Sequence, residues 1–316
     1  MIYLELAAGL LLLLVGGELL VRGAVATATR AGVSPLLIGL TLVGFGTSTP
    51  ELLTSVEAAI VGSPGIAVGN VVGSNIANIL LILGVAALIC PLKVSRGAFY
   101  RDGTVVALAA LCGVAACLTG ELRPLGGVLL VMLLIGYIVY CYRTERVDET
   151  TTENPIHPAL AIPGSINLTL AFSIVLVVGG LALTVLGAHL LVSSVLAIGI
   201  AVGISETVLG LTVVAVGTSL PELVTSVLAA FRRQPDIAFG NIVGSNIYNI
   251  LGILGITAII EPIPVPSEIV QADIWIMLAA TGMLLFFSIS GWRISRAEGG
   301  IFLAAYGAYL LFVTSH

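Results

Sequence analysis

Charged side chains are scarce in this chain. Lys, Arg, Asp and Glu together make up 9% of its 316 residues, whereas hydrophobic residues make up 58% and the mean hydropathy is +1.16. Ordinary water-soluble domains carry about 25% charged residues. The composition therefore excludes a water-soluble protein and indicates a chain that lies largely within a membrane.

The sequence also lacks the common signatures of catalytic and thiolate metal sites. Its four cysteines form no CxxC pair and have no nearby histidine, which favours apolar packing in membrane helices, and they are Cys90, Cys112, Cys117 and Cys141. No GxSxG or HExxH motif occurs. We therefore expect neither an enzyme nor a bound cofactor.

A 46-residue segment occurs twice, at 39–84 and at 210–255. The offset is 171 residues without a gap, and 31 of the 46 positions are identical. The first copy contains GTSTPELLTS and GNVVGSNIANIL, and the second contains GTSLPELVTS and GNIVGSNIYNIL. Glu51 and Glu222 are thus ionisable groups within apolar sequence, where they are costly and are functional candidates by default.

Ten segments are long and apolar enough to cross a bilayer, which takes about 20 residues as a helix. We predict spans at 4–27, 35–61, 66–89, 103–119, 124–142, 168–198, 205–231, 236–260, 268–290 and 298–314. The longest polar segment, 143–165, separates two five-helix halves, 1–142 and 166–316. The predicted fold is an all-α integral membrane protein with ten transmembrane helices.

The basic residues predict the orientation of the chain. With both termini outside, 11 of the 12 Lys and Arg residues fall on the cytoplasmic side, together with the linker 143–165. This agrees with the positive-inside rule. Because each half has five spans, the second half enters from the opposite side, so the two repeats are inverted as in alternating-access transporters. We expect a multi-pass protein of the plasma (inner) membrane.

A proline interrupts the helix that carries each glutamate. Pro50 lacks an N–H and clashes with the carbonyl four residues earlier. The freed backbone oxygens would be prohibitive against lipid, so the break must face protein or a wet cavity. The residues expected to cluster there are Thr47, Ser48 and Glu51 in the first copy, and Thr218, Ser219 and Glu222 in the second.

The next helix of each repeat adds further oxygen donors. Ser74 and Asn78 share one helix face, as do Ser245 and Asn249. Carboxylate, amide, hydroxyl and carbonyl oxygens suit Ca²⁺, Mg²⁺ and alkali ions. Two carboxylates neutralise one divalent ion and, with two carbonyls, supply about six of the 6–8 oxygens that Ca²⁺ takes. Mg²⁺ and other divalent ions fit the same donors.

Several residues of the repeats also have structural interpretations. Asn75 and Asn246 are expected to bond to backbone groups instead of an ion. Ser48 and Ser219 could instead bond back to the carbonyl four residues earlier. The glycines of the GxxGSN motifs could serve close helix packing, and they are Gly69, Gly73, Gly240 and Gly244.

Three ionisable residues lie outside this pattern. The position equivalent to Glu57 holds Leu228, so the repeat does not demand a carboxylate there, and we expect Glu57 to lie in a wet vestibule, with an ion ligand as the alternative. Glu18 and His189 occupy equivalent positions in the first helix of each half. A local polar contact between these two is expected, with a proton relay as the alternative.

The doubled motif, GTS-x-PE followed by GSNI-x-N, resembles the alpha-repeats of the sodium/calcium exchangers within the cation/calcium antiporter superfamily, and the prokaryotic ten-helix branch in particular. The resemblance implies that Glu51 and Glu222 bind Ca²⁺ with backbone oxygens of Thr47 and Thr218. It implies Na⁺ sites at Gly44, Thr47 and Ser74, at Ala215, Thr218 and Ser245, and at Asn78 and Asn249 in the middle. Potassium-dependent relatives resemble this chain but carry an aspartate in place of Asn249, which weakens any case for potassium transport.

The predicted function is a Na⁺/Ca²⁺ antiporter that works by alternating access. A Ca²⁺/H⁺ antiporter is the nearest alternative, since protons can titrate the same glutamates; the additional Ser and Thr oxygens favour Na⁺. A cation channel is a third alternative, although channels need weak multi-site binding. The expected partners are Ca²⁺, Na⁺ and the lipid bilayer, with no nucleic acid, and we expect the chain to act as a monomer.

Overall fold

The computed structural model describes residues 2–30, 44–94, 96–148, 169–233 and 235–315, and these ranges are almost entirely helical. The first half contains helices α1 Ile2–Arg30, α2 Gly44–Thr47, α3 Thr49–Ile60, α4 Pro64–Ile76, α5 Gly84–Ile89, α6 Arg96–Ala98, α7 Thr104–Leu118 and α8 Pro124–Asp148. The second half contains α9 Leu170–Val202, α10 Glu206–Leu209, α11 Ala215–Thr218, α12 Leu220–Phe231, α13 Pro235–Tyr248, α14 Gly255–Ile260, α15 Ile274–Ile289 and α16 Arg296–Ser315. Wider π-helical turns occupy Ala77–Leu83, Phe99–Gly103, Gly210–Val214, Asn249–Leu254 and Ile269–Asp273.

Within the described ranges, eight helical segments are long and apolar enough to cross a membrane, and the bent pair Glu206–Thr218 and Leu220–Phe231 gives a ninth. These nine coincide with nine of the ten predicted spans. The remaining predicted span, 35–61, coincides with α2 and α3 from residue 44 onward, and its earlier part lies outside the described residues. The all-α integral membrane class is confirmed; the count of ten stays a prediction.

Helix ends differ from the predicted boundaries by a few residues. The first helix extends beyond 4–27 at both ends, and α9 extends beyond residue 198 to Val202, where Gly203 stops it with a left-handed φ of 76°. The fifth span of the first half continues as helix to Asp148, so the beginning of the predicted linker is helical. The rest of the linker, 149–165, lies outside the described residues.

Helices α1 and α9 pack together through glycines. A Cβ on Gly9 would come within 3.1 Å of the Gly187 carbonyl oxygen, and a Cβ on Gly16 within 2.8 Å of the Gly180 carbonyl oxygen. The contacts run in opposite directions along the two helices, so the pair is antiparallel. Gly9 and Gly180 are 171 residues apart, as are Gly16 and Gly187. The contact therefore joins equivalent helices of the two halves. Gly9 packs against the repeat equivalent of Gly16, and Gly16 packs against the repeat equivalent of Gly9.

The two most enclosed spans lie at the centre of the molecule. Pro64–Ile89 is 78% buried and Ile237–Ile260 is 83% buried over their apolar windows, against 22–39% for the other six spans. The glutamate-bearing helices α3 and α12 pack against α4 and α13 respectively, and each also contacts the π-helical turn of the opposite half. The architecture thus surrounds both glutamates with protein.

Two short antiparallel ribbons, which the sequence did not predict, join the loops. Strand β1 (Leu92–Lys93) pairs with β4 (Arg293–Ile294), and β2 (Glu121–Leu122) pairs with β3 (Ile263–Pro264). Strands of two residues are too short to show the alternation on which strand prediction depends. Since β1 and β2 lie at the two ends of the span Phe99–Leu118, the ribbons lie at opposite faces of the membrane.

Candidate functional site

Each glutamate lies in the first turn of a helix that follows a break. Helices α2 and α3 are separated at Ser48, and α11 and α12 at Ser219, where the second pair bends by 48°. Pro50 and Pro221 fit in the first turn, where the missing N–H disrupts no helical bond. The N-terminal end of a helix also stabilises negative charge. The local structure therefore favours a carboxylate at these positions.

The two halves exchange hydrogen bonds at these breaks. The Ser48 hydroxyl donates to Oε1 of Glu222 at 2.7 Å, and the Ser219 hydroxyl donates to Oε1 of Glu51 at 2.9 Å. Both glutamates and Ser48 are fully buried, and Ser219 is 1% exposed. Each serine thus binds the carboxyl group of the opposite repeat, which brings the two acids into one site where they interact electrostatically.

The second oxygen of each carboxyl group has no partner among the described residues. Oε2 of Glu51 and Oε2 of Glu222 are both buried there without a hydrogen bond. A buried charge without compensation is strongly unfavourable. The site therefore needs a proton or a cation at this point, and the two carboxyl oxygens that would bind it come from opposite halves of the chain.

Side chains of the central spans complete the polar site. Ser245 lies 3.4 Å from the Ser48 hydroxyl and 3.5 Å from Oε1 of Glu222. The Asn78 side chain donates to Oδ1 of Asn246 at 3.3 Å, while its own Oδ1 is buried and has no partner within the described ranges. Asn249 is 1% exposed, and neither atom of its amide bonds to a described residue.

The remaining residues of the predicted set are placed as follows. The Ser74 hydroxyl donates to the Ala215 carbonyl at 3.4 Å, and Thr47 hydrogen-bonds to the Glu222 side chain. The Thr218 hydroxyl donates instead to Oδ1 of Asn70 at 3.0 Å and to the Val214 carbonyl four residues earlier. Gly44 is the first residue of α2.

Two asparagines were not singled out from the sequence, although they occupy equivalent positions in the two repeats. Asn70 donates to the Glu51 carbonyl at 3.1 Å and to Ser55 at 2.9 Å. Asn241 donates to the Glu222 carbonyl at 3.4 Å and to a serine one turn further on at 3.0 Å. These bonds fix the backbone beneath each carboxyl group. An amide conserved between the two copies at membrane depth was the signal that could have revealed them.

The structural interpretation of Asn75 agrees with its contact, since its amide donates to the Val71 carbonyl one turn earlier at 2.7 Å. Asn246 instead accepts the bond from Asn78. Gly69 and Gly73 pack closely against the helical segment at 210–215, so close packing is realised in the first repeat.

The expected contact between Glu18 and His189 is wrong. Glu18 pairs with Arg22 one turn along its own helix, and His189 pairs through Nδ1 with Oε1 of Glu57 at 2.8 Å. Because α1 and α9 are antiparallel, the equivalent residues Glu18 and His189 lie beside different neighbours. Glu57 is partly exposed at 23%, whereas Glu51 on the same helix is fully enclosed.

The site contains only hard oxygen and amide groups, and in the described residues no three His, Cys, Asp or Glu side chains cluster as they would around a tightly held metal ion. Two buried carboxyl groups from related halves of a helical membrane protein define a cation transporter.

The comparisons with known proteins agree with this class. The chain matches the model of the sodium/calcium exchanger protein family over residues 1–143 and 172–315. The chain therefore belongs to the sodium/calcium exchanger family, and it is a cation antiporter, not an enzyme.

Individual relatives are similar along their whole length. The putative antiporter CaxA of Alkalimonas amylolytica is 37% identical over 308 residues, which cover 95% of each chain. The sodium/calcium exchanger MaX1 of Methanosarcina acetivorans is 36% identical and covers 98% of this chain and 97% of its own. A solved structure of the sodium-calcium exchanger NCX_Mj, soaked with 2.5 mM Na⁺ and 0.1 mM Ca²⁺, is 32% identical with a TM-score of 0.66, and the match covers 97% of this chain and 96% of that one.

Proposed function

We propose that this chain exchanges Na⁺ for Ca²⁺ across the membrane by alternating access. The observation that carries the proposal is the matched pair of enclosed carboxyl groups, each bound by a serine of the other half and each with one unpartnered oxygen. The names of MaX1 and NCX_Mj, both sodium/calcium exchangers, support the choice of ions.

The proposed Ca²⁺ ligands are the carboxyl groups of Glu51 and Glu222. Their unpartnered oxygens can approach a cation without breaking an existing bond. Backbone oxygens of Thr47 and Thr218 would raise the number of ligands toward the 6–8 that Ca²⁺ takes. Two negative charges neutralise the ion, which permits its complete enclosure by protein.

The same oxygens serve Na⁺ in the proposed cycle. The Na⁺ ligands are drawn from the two sets given by the repeats, namely Gly44, Thr47, Ser48 and Ser74, and Ala215, Thr218, Ser219 and Ser245, with Asn78 and Asn249 in the middle. Ca²⁺ and Na⁺ then compete, and the negatively charged empty site resists the change of access. Several Na⁺ ions for each Ca²⁺ would make the cycle electrogenic.

The topology belongs to the same proposal. Two inverted five-helix halves, 1–142 and 166–316, would open the site alternately to each side. We propose that the chain lies in the plasma (inner) membrane, with both termini outside and the linker 143–165 in the cytoplasm. A single chain supplies both glutamates, so the proposed functional unit is a monomer.

Ion flux in reconstituted vesicles tests the proposal. Vesicles loaded with Na⁺ are diluted into Na⁺-free medium that contains Ca²⁺, and Ca²⁺ uptake is followed with an entrapped indicator. A second set has equal Na⁺ on both sides and a pH gradient. We expect uptake in the first set only, accelerated when K⁺ and valinomycin clamp the membrane potential.

Uptake that follows the pH gradient and ignores Na⁺ would replace the proposal with Ca²⁺/H⁺ exchange. Unitary currents in planar bilayers would replace it with a channel. Glu57→Gln provides the control, because Glu57 is on the same helix as Glu51 but outside the enclosed site.

A further inference from the structure

The ribbon formed by β1 and β4 carries a concentrated positive charge. Lys93 and Arg293 are paired directly across its two strands, and both side chains are exposed. Like charges opposite each other destabilise a strand pair. Arg96, three residues after Lys93, adds a third exposed cation. The stability of the ribbon therefore does not explain this arrangement, which we call the basic ribbon face (Lys93, Arg96 and Arg293).

Little negative charge opposes the basic ribbon face. Among the described residues, no carboxylate lies within salt-bridge distance of these three side chains. Glu298 interacts electrostatically with Arg293, but its carboxyl group is occupied by the backbone N–H and the hydroxyl of Ser295 at 2.6 and 2.7 Å. Among the described residues of the ribbon and its flanks, the net charge is therefore positive.

Aromatic rings lie beside these cations. The Arg96 guanidinium lies over the Trp292 ring at 4.9 Å, and Trp292 is 5.7 Å from Phe99 and 6.1 Å from Tyr100. Trp292 has a φ of 54°, a left-handed conformation that is a genuine outlier for so bulky a residue. Tryptophan and tyrosine are enriched at the level of the lipid headgroups. The ribbon connects the ends of membrane spans, so its aromatic side chains lie at that level.

The ribbon at the opposite face has the reverse character. On β2 and its flank, Glu121 forms a salt bridge with Arg123 at 2.7 Å. Glu261 and Glu268 flank the paired strand β3 on either side. Leu92 of β1 and Ile263 of β3 are 171 residues apart, so the two ribbons correspond in the repeat. The same backbone feature is therefore basic at one face and acidic at the other, so the pairing of the strands does not itself require positive charge.

We propose that the basic ribbon face binds the headgroup of an anionic phospholipid from the bilayer around the protein. The phosphate would lie between Lys93 and Arg293, and Trp292 would hold the interfacial part of the lipid beside Arg96. Basic groups at the end of a span attract anionic lipids. Each such residue raises the affinity for an anionic headgroup by about fivefold.

Tryptophan fluorescence measures this binding directly, because the chain has only Trp275 and Trp292. Trp275→Phe leaves Trp292 as the sole fluorophore. The protein is reconstituted in lipid mixtures that contain either brominated phosphatidylglycerol or brominated phosphatidylcholine, and quenching gives the relative affinity for the two headgroups. We expect preferential quenching by phosphatidylglycerol that weakens as salt is raised, because salt screens the attraction.

Lys93→Gln with Arg293→Gln, in the same background, should lower the preference by about 25-fold, which is about fivefold for each residue. Arg123→Gln on the opposite ribbon is the matched control and should leave it unchanged. Equal quenching of Trp292 by both lipids, or a preference insensitive to salt, would overturn the proposal without the need for any charge variant. The measurement involves no ion transport, so its result is independent of the proposed exchange.

Discussion

Neutralising one of the two buried glutamates should strongly weaken Ca²⁺ binding while preserving the fold. Glu51→Gln keeps the shape of the side chain and an oxygen that can accept the bond from Ser219. It removes one of the two charges proposed to balance Ca²⁺. A Ca²⁺ ion in the altered site would leave one positive charge uncompensated in an enclosed region.

The structure sets the size of this effect. Both glutamates are fully buried, so water cannot substitute for the missing charge. Breaking a buried ion pair from one side costs about 3–5 kcal/mol. That range corresponds to a loss of Ca²⁺ affinity of about 150- to 5,000-fold. Glu222→Gln should behave alike, because Glu222 is equally enclosed and retains the bond from Ser48.

Glu57→Gln is the matched control for this prediction. The Glu57 side chain is partly exposed and its contact with His189 lies at a wetter position, where even an ion pair contributes only about 0–1 kcal/mol. Calorimetric Ca²⁺ titration of the purified proteins, with gel filtration to confirm folding, gives the three affinities. Ca²⁺ affinity within about fivefold of the parent in Glu51→Gln or Glu222→Gln would refute the reasoning.

Two further predictions concern the framework of the site. Asn70→Ala should lower the free energy of unfolding by about 1–3 kcal/mol, because it leaves buried groups of the glutamate-bearing helix without partners. Asn75→Ala is the control, because it removes only a bond within its own helix. Equal shifts of the two variants in thermal unfolding would contradict the role of Asn70. Gly180→Ala should cost about 1–3 kcal/mol by overpacking, because the added Cβ would come within 2.5 Å of the Leu20 backbone nitrogen. Gly179→Ala, where a Cβ meets no atom of the described residues within 4 Å, should unfold like the parent, and a similar loss in both would exclude close α1–α9 packing as the cause.

The sequence predicted those features that depend on composition and on the internal repeat. Long apolar segments gave the helical membrane class, and the equivalence of Glu51 and Glu222 indicated that both belong to one site. Pro50 and Pro221 predicted the helix breaks. These inferences succeeded because a buried charge and a missing N–H impose strong physical constraints that local sequence displays.

Features that depend on tertiary neighbours could not be predicted. The hydrogen bonds that Ser48 and Ser219 donate to the glutamate of the opposite half depend on how the two repeats pack together. The pairing of His189 with Glu57 replaced the expected contact with Glu18, because helix packing, not the repeat register, decides which side chains face each other. The role of Asn70 likewise depends on a neighbouring helix, as the hydrogen bonds of a buried amide are set by its surroundings.

The most direct test of the central claim is the position of the transported cation in crystals of this protein. Anomalous scattering from Sr²⁺, used in place of Ca²⁺, locates the ion without assuming its ligands. We predict one peak between the carboxyl groups of Glu51 and Glu222, in contact with both, that disappears as Na⁺ is raised. A peak bound to only one of these glutamates, or elsewhere in the protein, would contradict the account.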